Sequence, residues 1–178
     1  VPAVKTLNAL TVKTAEKYLT KMNVALEDDE KNLALALGGM KYGLSLKNLT
    51  DMYSVFAAGG TYAPSRFIKK VVSPNGKTVY ENQTFKSRVF SEGASSLMNG
   101  ILLETVKSGT AKKLNGFNYN VAAKTGTCGN SEGNTDAYSI SYTSEHCIGV
   151  WIGDKDNKRL NVTGGNECCT VTKEILNK

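Results

Sequence analysis

The sequence predicts an α+β fold, with an antiparallel sheet flanked by helices. Two observations lead to it. Helical periodicity recurs in separate segments of the first two thirds, and the last third holds three apolar-rich runs joined by short connections. These runs are predicted strands over 120–127, 137–143 and 147–152. Strands so closely spaced pair antiparallel, and the helices then cover the faces of the sheet.

The first helical segment is predicted over residues 2–22, in two pieces. Thr11 can cap the second piece, because its hydroxyl can accept a hydrogen bond from a backbone N–H of the first turn. Four apolar residues fall on one face of that piece: Val12, Ala15, Leu19 and Met22. A polar connection over 27–32 follows.

A second helix is predicted over 46–58. Ser45 is its expected N-cap, and Gly59-Gly60 ends it. Its apolar residues recur at spacings of three and four, as an amphipathic helix requires: Leu46, Leu49, Met52, Tyr53 and Phe56.

A hairpin and two more helices complete the predicted elements. The hairpin has strands 66–72 and 77–80 about the turn Ser73-Pro74-Asn75-Gly76. Ser91 begins a helix that runs to about residue 107, and a closing helix is predicted over 170–177. Four residues of the Ser91 helix are expected to face inward: Leu97, Ile101, Leu102 and Val106.

The composition is that of an ordinary globular chain. Of 178 residues, 40% are hydrophobic and 21% charged, which excludes collagen-like and strongly disordered classes. No apolar run approaches the roughly 18 residues of a membrane span. The net charge is +6, but the lysines are scattered. With no basic and aromatic face and no recognisable module, no nucleic-acid partner is predicted. The charge is interpreted as an ordinary solvated basic surface, and the alternative is that it attracts anionic partners such as cell-wall polymers or lipid headgroups.

The cysteines and the single histidine do not predict a metal site. The four cysteines are Cys128, Cys147, Cys168 and Cys169, and no C-x-x-C pair occurs. His146 has no ligand partner at a useful spacing and is interpreted as a turn residue. A zinc site is therefore not expected.

The segment that points to chemistry is Ala123-Lys124-Thr125-Gly126-Thr127, at the end of a predicted strand. A glycine leaves room for a substrate strand to lie alongside, and a strand lysine holds an ammonium in place. The flanking threonines offer hydroxyls to a carboxylate, and the backbone N–H after the glycine can face a carbonyl oxygen. Three residues alone are a weak signal, and a plain strand end is the alternative.

The surrounding sequence resembles the transpeptidase domain of high-molecular-mass penicillin-binding proteins, most of all the bifunctional class A branch. The family's strings recur in the family's order along nearly the whole chain. They are Leu35-Ala36-Leu37-Gly38-Gly39, Phe56-Ala57-Ala58-Gly59-Gly60, Ser108-Gly109-Thr110-Ala111, VAAKTGT over 121–127, Asp136-Ala137-Tyr138, Ser141-Tyr142-Thr143, Gly149-Val150-Trp151-Ile152-Gly153 and Thr163-Gly164-Gly165. The resemblance implies part of a β-lactamase/transpeptidase-like fold.

The same resemblance implies roles for the four residues of the K-T-G-T segment. Lys124 would pair with the serine of the family's S-x-N motif and supply positive potential; the alternative is an exposed strand lysine. Thr125 and Thr127 would hydrogen-bond the substrate carboxylate, and Gly126 would allow its close approach. The Thr127 N–H would form half of the oxyanion hole. Lys124 and Thr127 are thus the expected catalytic residues, and 124–127 the substrate-binding ones.

Neighbouring residues receive weaker assignments from the resemblance. Asp136 either begins the next strand or caps a turn. Tyr138 is expected to pack rather than to act, and Trp151 to lie in the core. The loop 108–111 is expected to border the cleft.

Two of the family's three motifs are missing. No serine is followed by lysine at the third place, and S-x-N occurs only at Ser73-Pro74-Asn75, which is interpreted as the hairpin turn. Val1-Pro2-Ala3-Val4 resembles the residues that follow S-x-N in the family. Residues 1–178 are therefore expected to be the C-terminal portion of a transpeptidase domain. The nucleophile, a glycosyltransferase region and a membrane anchor would lie upstream, and the isolated chain is expected to be inactive.

A disulfide is predicted from Cys128 to Cys168 or Cys169. In a three-strand meander the end of the first strand lies beside the exit of the third, after which Cys168 and Cys169 follow. Cys147 begins the third strand at the opposite end and is the expected free thiol.

The function implied for the parent protein is D,D-transpeptidation on the extracytoplasmic face of the cell membrane. Peptidoglycan stem peptides and β-lactams are the implied partners, and no metal or organic cofactor is implied. Whether the chain forms a dimer that covers an exposed apolar face is left undecided by the sequence. A serine β-lactamase, a non-enzymatic β-lactam sensor and a plain structural fragment are the alternatives.

Overall fold

The structure is a computed structural model that describes residues 2–178; Val1, the first residue of the segment compared with the S-x-N flank, lies outside the described residues. The described chain divides into two compact units. One comprises the residues up to Ser45 together with Thr61–Val89, and the other comprises Leu46–Gly60 together with Phe90–Lys178. None of the helices within 2–178 has the length and apolar character needed to cross a membrane.

The first unit begins with α1 (Pro2–Leu10) and α2 (Val12–Lys21), which confirms the two predicted helical pieces. The Thr11 hydroxyl accepts a hydrogen bond from the Thr14 N–H at 3.3 Å, so the predicted N-cap of α2 is also confirmed. Met22 is buried, and the other apolar residues predicted on its face are half-buried.

Short 3₁₀ turns at Asp28–Glu30 and Leu33–Leu37 follow α2. The buried Glu30 carboxylate accepts hydrogen bonds from the backbone N–H of Glu27 at 2.9 Å and of Lys41 at 2.7 Å. These two bonds, the Glu27 bond first, lower the pKa of Glu30 below its usual 4.5. The charged carboxylate thus ties two turns of this unit together.

We expect Glu30→Gln to lower the melting temperature of the chain by a few degrees at pH 7, because an amide accepts these bonds less strongly than a carboxylate. The pKa of Glu30 is lower in the folded state. Its contribution is therefore fully present above the unfolded value of 4.5 and is lost as the pH falls through the folded value. Melting curves of both proteins from pH 7 to pH 3 should converge at acid pH. A difference that stays constant with pH would contradict this role.

Two strand pairs complete the first unit. β1 (Thr61–Tyr62) pairs antiparallel with β4 (Ser87–Arg88), and β2 (Lys70–Val72) pairs with β3 (Thr78–Glu81). The β2–β3 pair is the predicted hairpin, with a shorter first strand.

The turn of this hairpin contains the only S-x-N sequence. The Ser73 N–H donates to the Lys77 carbonyl at 2.9 Å, and the Ser73 hydroxyl donates to the same oxygen and to the Asn75 side chain. Both polar side chains are thus engaged within the turn. The interpretation of Ser73-Pro74-Asn75 as a turn is confirmed.

The second unit holds the predicted sheet, as the middle of a helix–sheet–helix arrangement. The helices are α3 (Leu46–Ala57), α4 (Glu92–Lys107) and α5 (Cys169–Leu176). The strands are β5 (Ala122–Asn130), β6 (Gly133–Tyr142) and β7 (Cys147–Gly153), in the order β5-β6-β7. All neighbours pair antiparallel, so the α+β class and the meander are confirmed. β5 ends later than predicted, at Asn130, and β6 begins earlier than predicted, at Gly133.

The two faces of this sheet pack against different helices. On the face toward α3 and α4, Ala122 and Tyr142 cluster with the buried Leu102 of α4. We call this the α3 face. On the other, the α5 face, Ala123 packs against Cys169, and Ala137 packs against Cys168. Because side chains alternate along a strand, each residue of β5 can be assigned to one of these faces.

The inward face predicted for α4 is half right. Ser91 caps the helix, its hydroxyl accepting from the Ala94 N–H at 3.2 Å, and Leu102 and Val106 are buried. Leu97 and Ile101 are 75% and 61% exposed, so their predicted burial is wrong. The buried stripe of α4 runs through Ser95, Leu102 and Val106, and Ile101 points about 100° away from Leu102 around the helix axis.

The predicted disulfide is also wrong, because all four cysteines are free thiols. Cys128 does lie at the sheet end where β7 exits, opposite Asp136, which pairs with Gly153. However, Cys128 shares the α3 face with Ala122, whereas Cys168 and Cys169 are buried on the α5 face. Strand alternation therefore separates the thiols. Burial raises the pKa of the Cys168 thiol to about 11. Cys147 is a free thiol, as predicted, and burial raises its pKa to about 11.

Candidate functional site

The K-T-G-T segment lies within β5, an outer strand of the sheet. Among residues 2–178, β5 pairs only with β6, so its other edge presents backbone N–H and C=O groups with no strand beside them. An extended peptide could add to such an edge by forming main-chain hydrogen bonds. The predicted placement of the motif on a strand is confirmed, but the motif does not lie at the end of the strand as predicted, because β5 continues to Asn130.

Alternation divides the side chains of the segment between the two faces. Lys124 and Gly126 lie on the α3 face, whereas Thr125 and Thr127 lie on the α5 face. Lys124 is exposed, and its ammonium donates to the Thr125 carbonyl oxygen at 2.6 Å. The ammonium is thus held close to the backbone of Thr125.

The packing of the sheet at Gly126 leaves room for a side chain. A Cβ added there would meet the nearest atom, the Tyr138 Cβ, at 3.5 Å, which is an ordinary contact. Packing within the sheet would therefore tolerate a side chain. The half-buried Tyr138 packs beside Gly126 on the neighbouring strand, as predicted.

Each threonine hydroxyl has a partner on the α5 face. The Thr125 Oγ1 lies 2.6 Å from the Thr110 Oγ1, and the Thr127 Oγ1 accepts a hydrogen bond from the Gly164 N–H at 3.1 Å. Thr110 belongs to the 108–111 loop, so this loop lies beside the segment, and that it borders a cleft stays a prediction. Two separate parts of the chain thus orient the two hydroxyls.

Gly164 and Gly165 were assigned by sequence only to a loop before the last helix. They begin a π-helical segment, Gly164–Cys168, that lies directly against β5 and β6. A Cβ on Gly164 would overlap the Tyr138 carbonyl oxygen and lie 2.5 Å from that of Gly126. A Cβ on Gly165 would overlap the Thr110 carbonyl oxygen. The two adjacent glycines, which have no side chains, are the feature of the sequence that could have predicted this close approach.

Asp136 forms a polar cluster at the end of the K-T-G-T segment. It lies inside β6, opposite Cys128, and does not cap a turn. Its carboxylate accepts hydrogen bonds from the Trp151 indole N–H at 2.8 Å and from the Thr135 hydroxyl at 2.9 Å. Burial, and then the nearby Asp136 charge, raise the pKa of the Cys128 thiol.

The prediction that Trp151 lies in the core is wrong. Trp151 is 43% exposed and lies over Gly153, near the end of β7. Its indole N–H needs a partner, and Asp136 on the adjacent strand provides one at the rim of the sheet.

The opposite end of the sheet carries a cavity of about 610 Å³, next to the β6–β7 turn. Thr143, His146 and Cys147 are among its lining residues, and the exposed His146 lies in the turn, as predicted. The K-T-G-T segment contributes no residue to this cavity. Within residues 2–178, no three His, Cys, Asp or Glu side chains are grouped so that they could hold a metal ion.

Comparisons with known proteins agree with the motif. Residues 11–164 match the family model of the penicillin binding protein transpeptidase domain. Penicillin-binding protein 1F of Bacillus subtilis is 35% identical over 180 residues, a match that covers 98% of this chain and 25% of that protein. Penicillin-binding protein 4 of the same organism is 31% identical over 153 residues, covering 85% and 24%. The chain thus spans about a quarter of the length of these relatives.

Solved structures show the same fold. PonA1 from Mycobacterium tuberculosis, in complex with penicillin V, aligns with a TM-score of 0.80 at 20% identity, covering 97% of this chain and 50% of that chain. Penicillin-binding protein 1A from Haemophilus influenzae aligns with a TM-score of 0.78 at 18% identity, covering 98% and 32%. The chain therefore belongs to the penicillin-binding protein transpeptidase domain family.

Proposed function

We propose that this chain is the C-terminal portion of a D,D-transpeptidase domain and that β5 is its substrate-binding strand. The observation that carries the proposal is the K-T-G-T segment on an outer strand, with both threonine hydroxyls oriented by protein partners. Neither S-x-x-K nor an S-x-N outside the hairpin turn occurs in the sequence. The chain would therefore supply recognition and part of the oxyanion hole, and another segment would supply the nucleophile.

In the proposed reaction, a serine oxygen attacks the penultimate D-Ala carbonyl of a peptidoglycan stem peptide. The peptide bond breaks, the terminal D-Ala leaves with a proton as the free amino acid, and an acyl-enzyme remains. The amine of a neighbouring stem then attacks this ester and forms the cross-link, and a proton from that amine restores the serine hydroxyl. A β-lactam would acylate the same serine by opening its ring.

The residues of β5 would bind two groups of the substrate, its terminal carboxylate and the carbonyl oxygen that becomes negative during the reaction. The Thr125 and Thr127 hydroxyls would donate hydrogen bonds to the terminal carboxylate, and the Lys124 ammonium would add positive potential close by. The backbone N–H of Thr127 would donate to the carbonyl oxygen that gains negative charge in the transition state. Because Lys124 lies on the other face from the hydroxyls, its ammonium is placed for a second partner, which we propose to be the S-x-N serine.

The comparisons favour transpeptidation over the serine β-lactamase and β-lactam sensor alternatives, because the relatives described above are named penicillin-binding proteins. From the proposed substrate we infer that the parent protein acts on the extracytoplasmic face of the membrane. Self-association through an exposed apolar face stays a prediction.

We expect the isolated chain to form no covalent adduct with a fluorescent penicillin. The serines of the sheet closest in register to the segment, Ser139 and Ser141, are buried, and neither has a lysine three residues on. The check is a denaturing gel after incubation with the label, with a full-length penicillin-binding protein as positive control. A labelled band from the isolated chain would overturn the predicted inactivity.

The proposed function itself is tested on the natural protein that contains this chain. It should carry S-x-x-K and S-x-N before residue 1, and its S-x-x-K serine should be the residue that the fluorescent penicillin labels. Mass spectrometry of the labelled peptide identifies that serine. Absence of both motifs, or of labelling, would contradict the proposal.

A further inference from the structure

We propose that Thr110 is a positioning residue that turns the Thr125 hydroxyl toward the substrate carboxylate. This inference rests on the proposed function of β5. It goes beyond it by giving the 108–111 loop a role in carboxylate recognition through a hydroxyl that does not itself touch the substrate.

The first step is the contact itself. The Thr110 and Thr125 hydroxyl oxygens lie 2.6 Å apart, which is a short O–H···O hydrogen bond. The two residues are 15 positions apart in sequence, on a loop and on a strand, so the contact is made by the tertiary fold. Either hydroxyl can be the donor.

The second step is the accounting of protons. A threonine hydroxyl has one proton to donate and two lone pairs that accept. The Thr127 oxygen already accepts from the Gly164 N–H, so its own proton stays available. If Thr110 donates to Thr125, the Thr125 proton is available too. A carboxylate only accepts hydrogen bonds, so its binding selects the arrangement in which Thr110 donates inward and both strand threonines donate outward.

The third step is that Thr110 is held independently of this bond. The next residue, Ala111, is fully buried, and its N–H donates to the Thr105 carbonyl at 3.0 Å. The Thr110 carbonyl lies against Gly165, and the Thr105 hydroxyl donates to the Ala123 carbonyl of β5. The loop is therefore held to α4 through Ala111, and the Thr105 hydroxyl in turn joins α4 to β5, so Thr110→Val should remove the hydroxyl without releasing the loop.

The test is the rate of acylation of the natural full-length protein by a penicillin and by its methyl ester, which lacks the negative carboxylate. We expect Thr110→Val to slow acylation by the penicillin about tenfold, the factor that one hydrogen bond to a charged group supplies, and to leave the ester rate unchanged. Thr110→Ser keeps the hydroxyl and should restore the rate. Thr20→Val is the matched control, because that hydroxyl bonds only the backbone of its own helix at Glu16.

A double-mutant cycle separates positioning from a structural effect. If Thr110 acts through Thr125, then Thr110→Val should cause no further loss in a Thr125→Val protein. An additive loss, or an equal loss with the penicillin and its ester, would overturn the inference.

The test also separates this inference from the proposed function. If the wild-type protein is not acylated at all, both fail together. If the wild type is acylated and Thr125→Val is slow while Thr110→Val reacts like the wild type, only the role of Thr110 fails.

Discussion

Replacing Lys124 by alanine should reduce penicillin acylation of the natural full-length protein by about 10²–10³-fold, the loss typical when one preorganised electrostatic group is removed from an active site. The Lys124 ammonium donates to the Thr125 carbonyl oxygen at 2.6 Å, on the same strand that carries the two threonine hydroxyls on its other face. Its removal takes away the positive charge that attracts the carboxylate. It also takes away the proposed partner of the S-x-N serine.

The measurement is the second-order rate constant of acylation, with the melting temperature as a check on folding. Lys124 is exposed, so stability should change by no more than about 0.5 kcal/mol. Lys173→Ala removes another exposed lysine, from α5, and should react like the wild type. If the Lys124→Ala protein were acylated with the same rate constant as the wild type, Lys124 would be only an exposed strand lysine.

Replacing Gly164 by alanine should cost stability and function together. Its Cβ would meet two backbone oxygens, those of Tyr138 and Gly126, which cannot rotate away. The segment Gly164–Cys168 would have to move off the sheet, disturbing the packing of Cys168 and the hydrogen bond from the Gly164 N–H to Thr127. We expect a loss of about 1–3 kcal/mol from overpacking and slower acylation.

Thermal unfolding measures this change. For a domain of this size, about 2–4 °C is lost per kcal/mol, so the melting temperature should fall by roughly 2–12 °C. Gly100→Ala is the matched control: it lies in α4, where a Cβ would meet nothing within 4 Å. Alanine favours a helix over glycine by about 0.5–1 kcal/mol, so that variant should be at least as stable as the wild type. Equal stability of the two variants would show that Gly164 does not need to be glycine.

Local patterns predicted the elements of this chain well. The Thr11 and Ser91 caps and the hairpin turn at Ser73 depend on neighbours within a few residues, and the order of the three-stranded meander depends on the short connections between its strands. The K-T-G-T segment was placed on its strand for the same reason. Hydrogen bonds and side-chain alternation over such short distances can be predicted directly from the order of residues.

Several features could not be read in this way. The helical period alone does not say which side of α4 faces the sheet, so Leu97 and Ile101 were predicted inward and are exposed. Trp151 was expected in the core, but its indole N–H donates to Asp136 at the rim of the sheet. The disulfide prediction considered at which end of the sheet each cysteine lies, and that part was right. It did not consider the faces of the sheet, and Cys128 lies on the other face from the buried Cys168 and Cys169.

The sequence by itself determined the α+β class, the order of the strands and the family to which the chain belongs, because motif spacing and periodicity are local properties. Only the tertiary structure decided how Thr125 and Thr127 are held. Their partners, Thr110 and Gly164, lie 15 and 37 positions away in sequence. Contacts over that separation depend on how the loop and the π-helical segment pack onto β5, and a pattern of neighbouring residues does not record that packing.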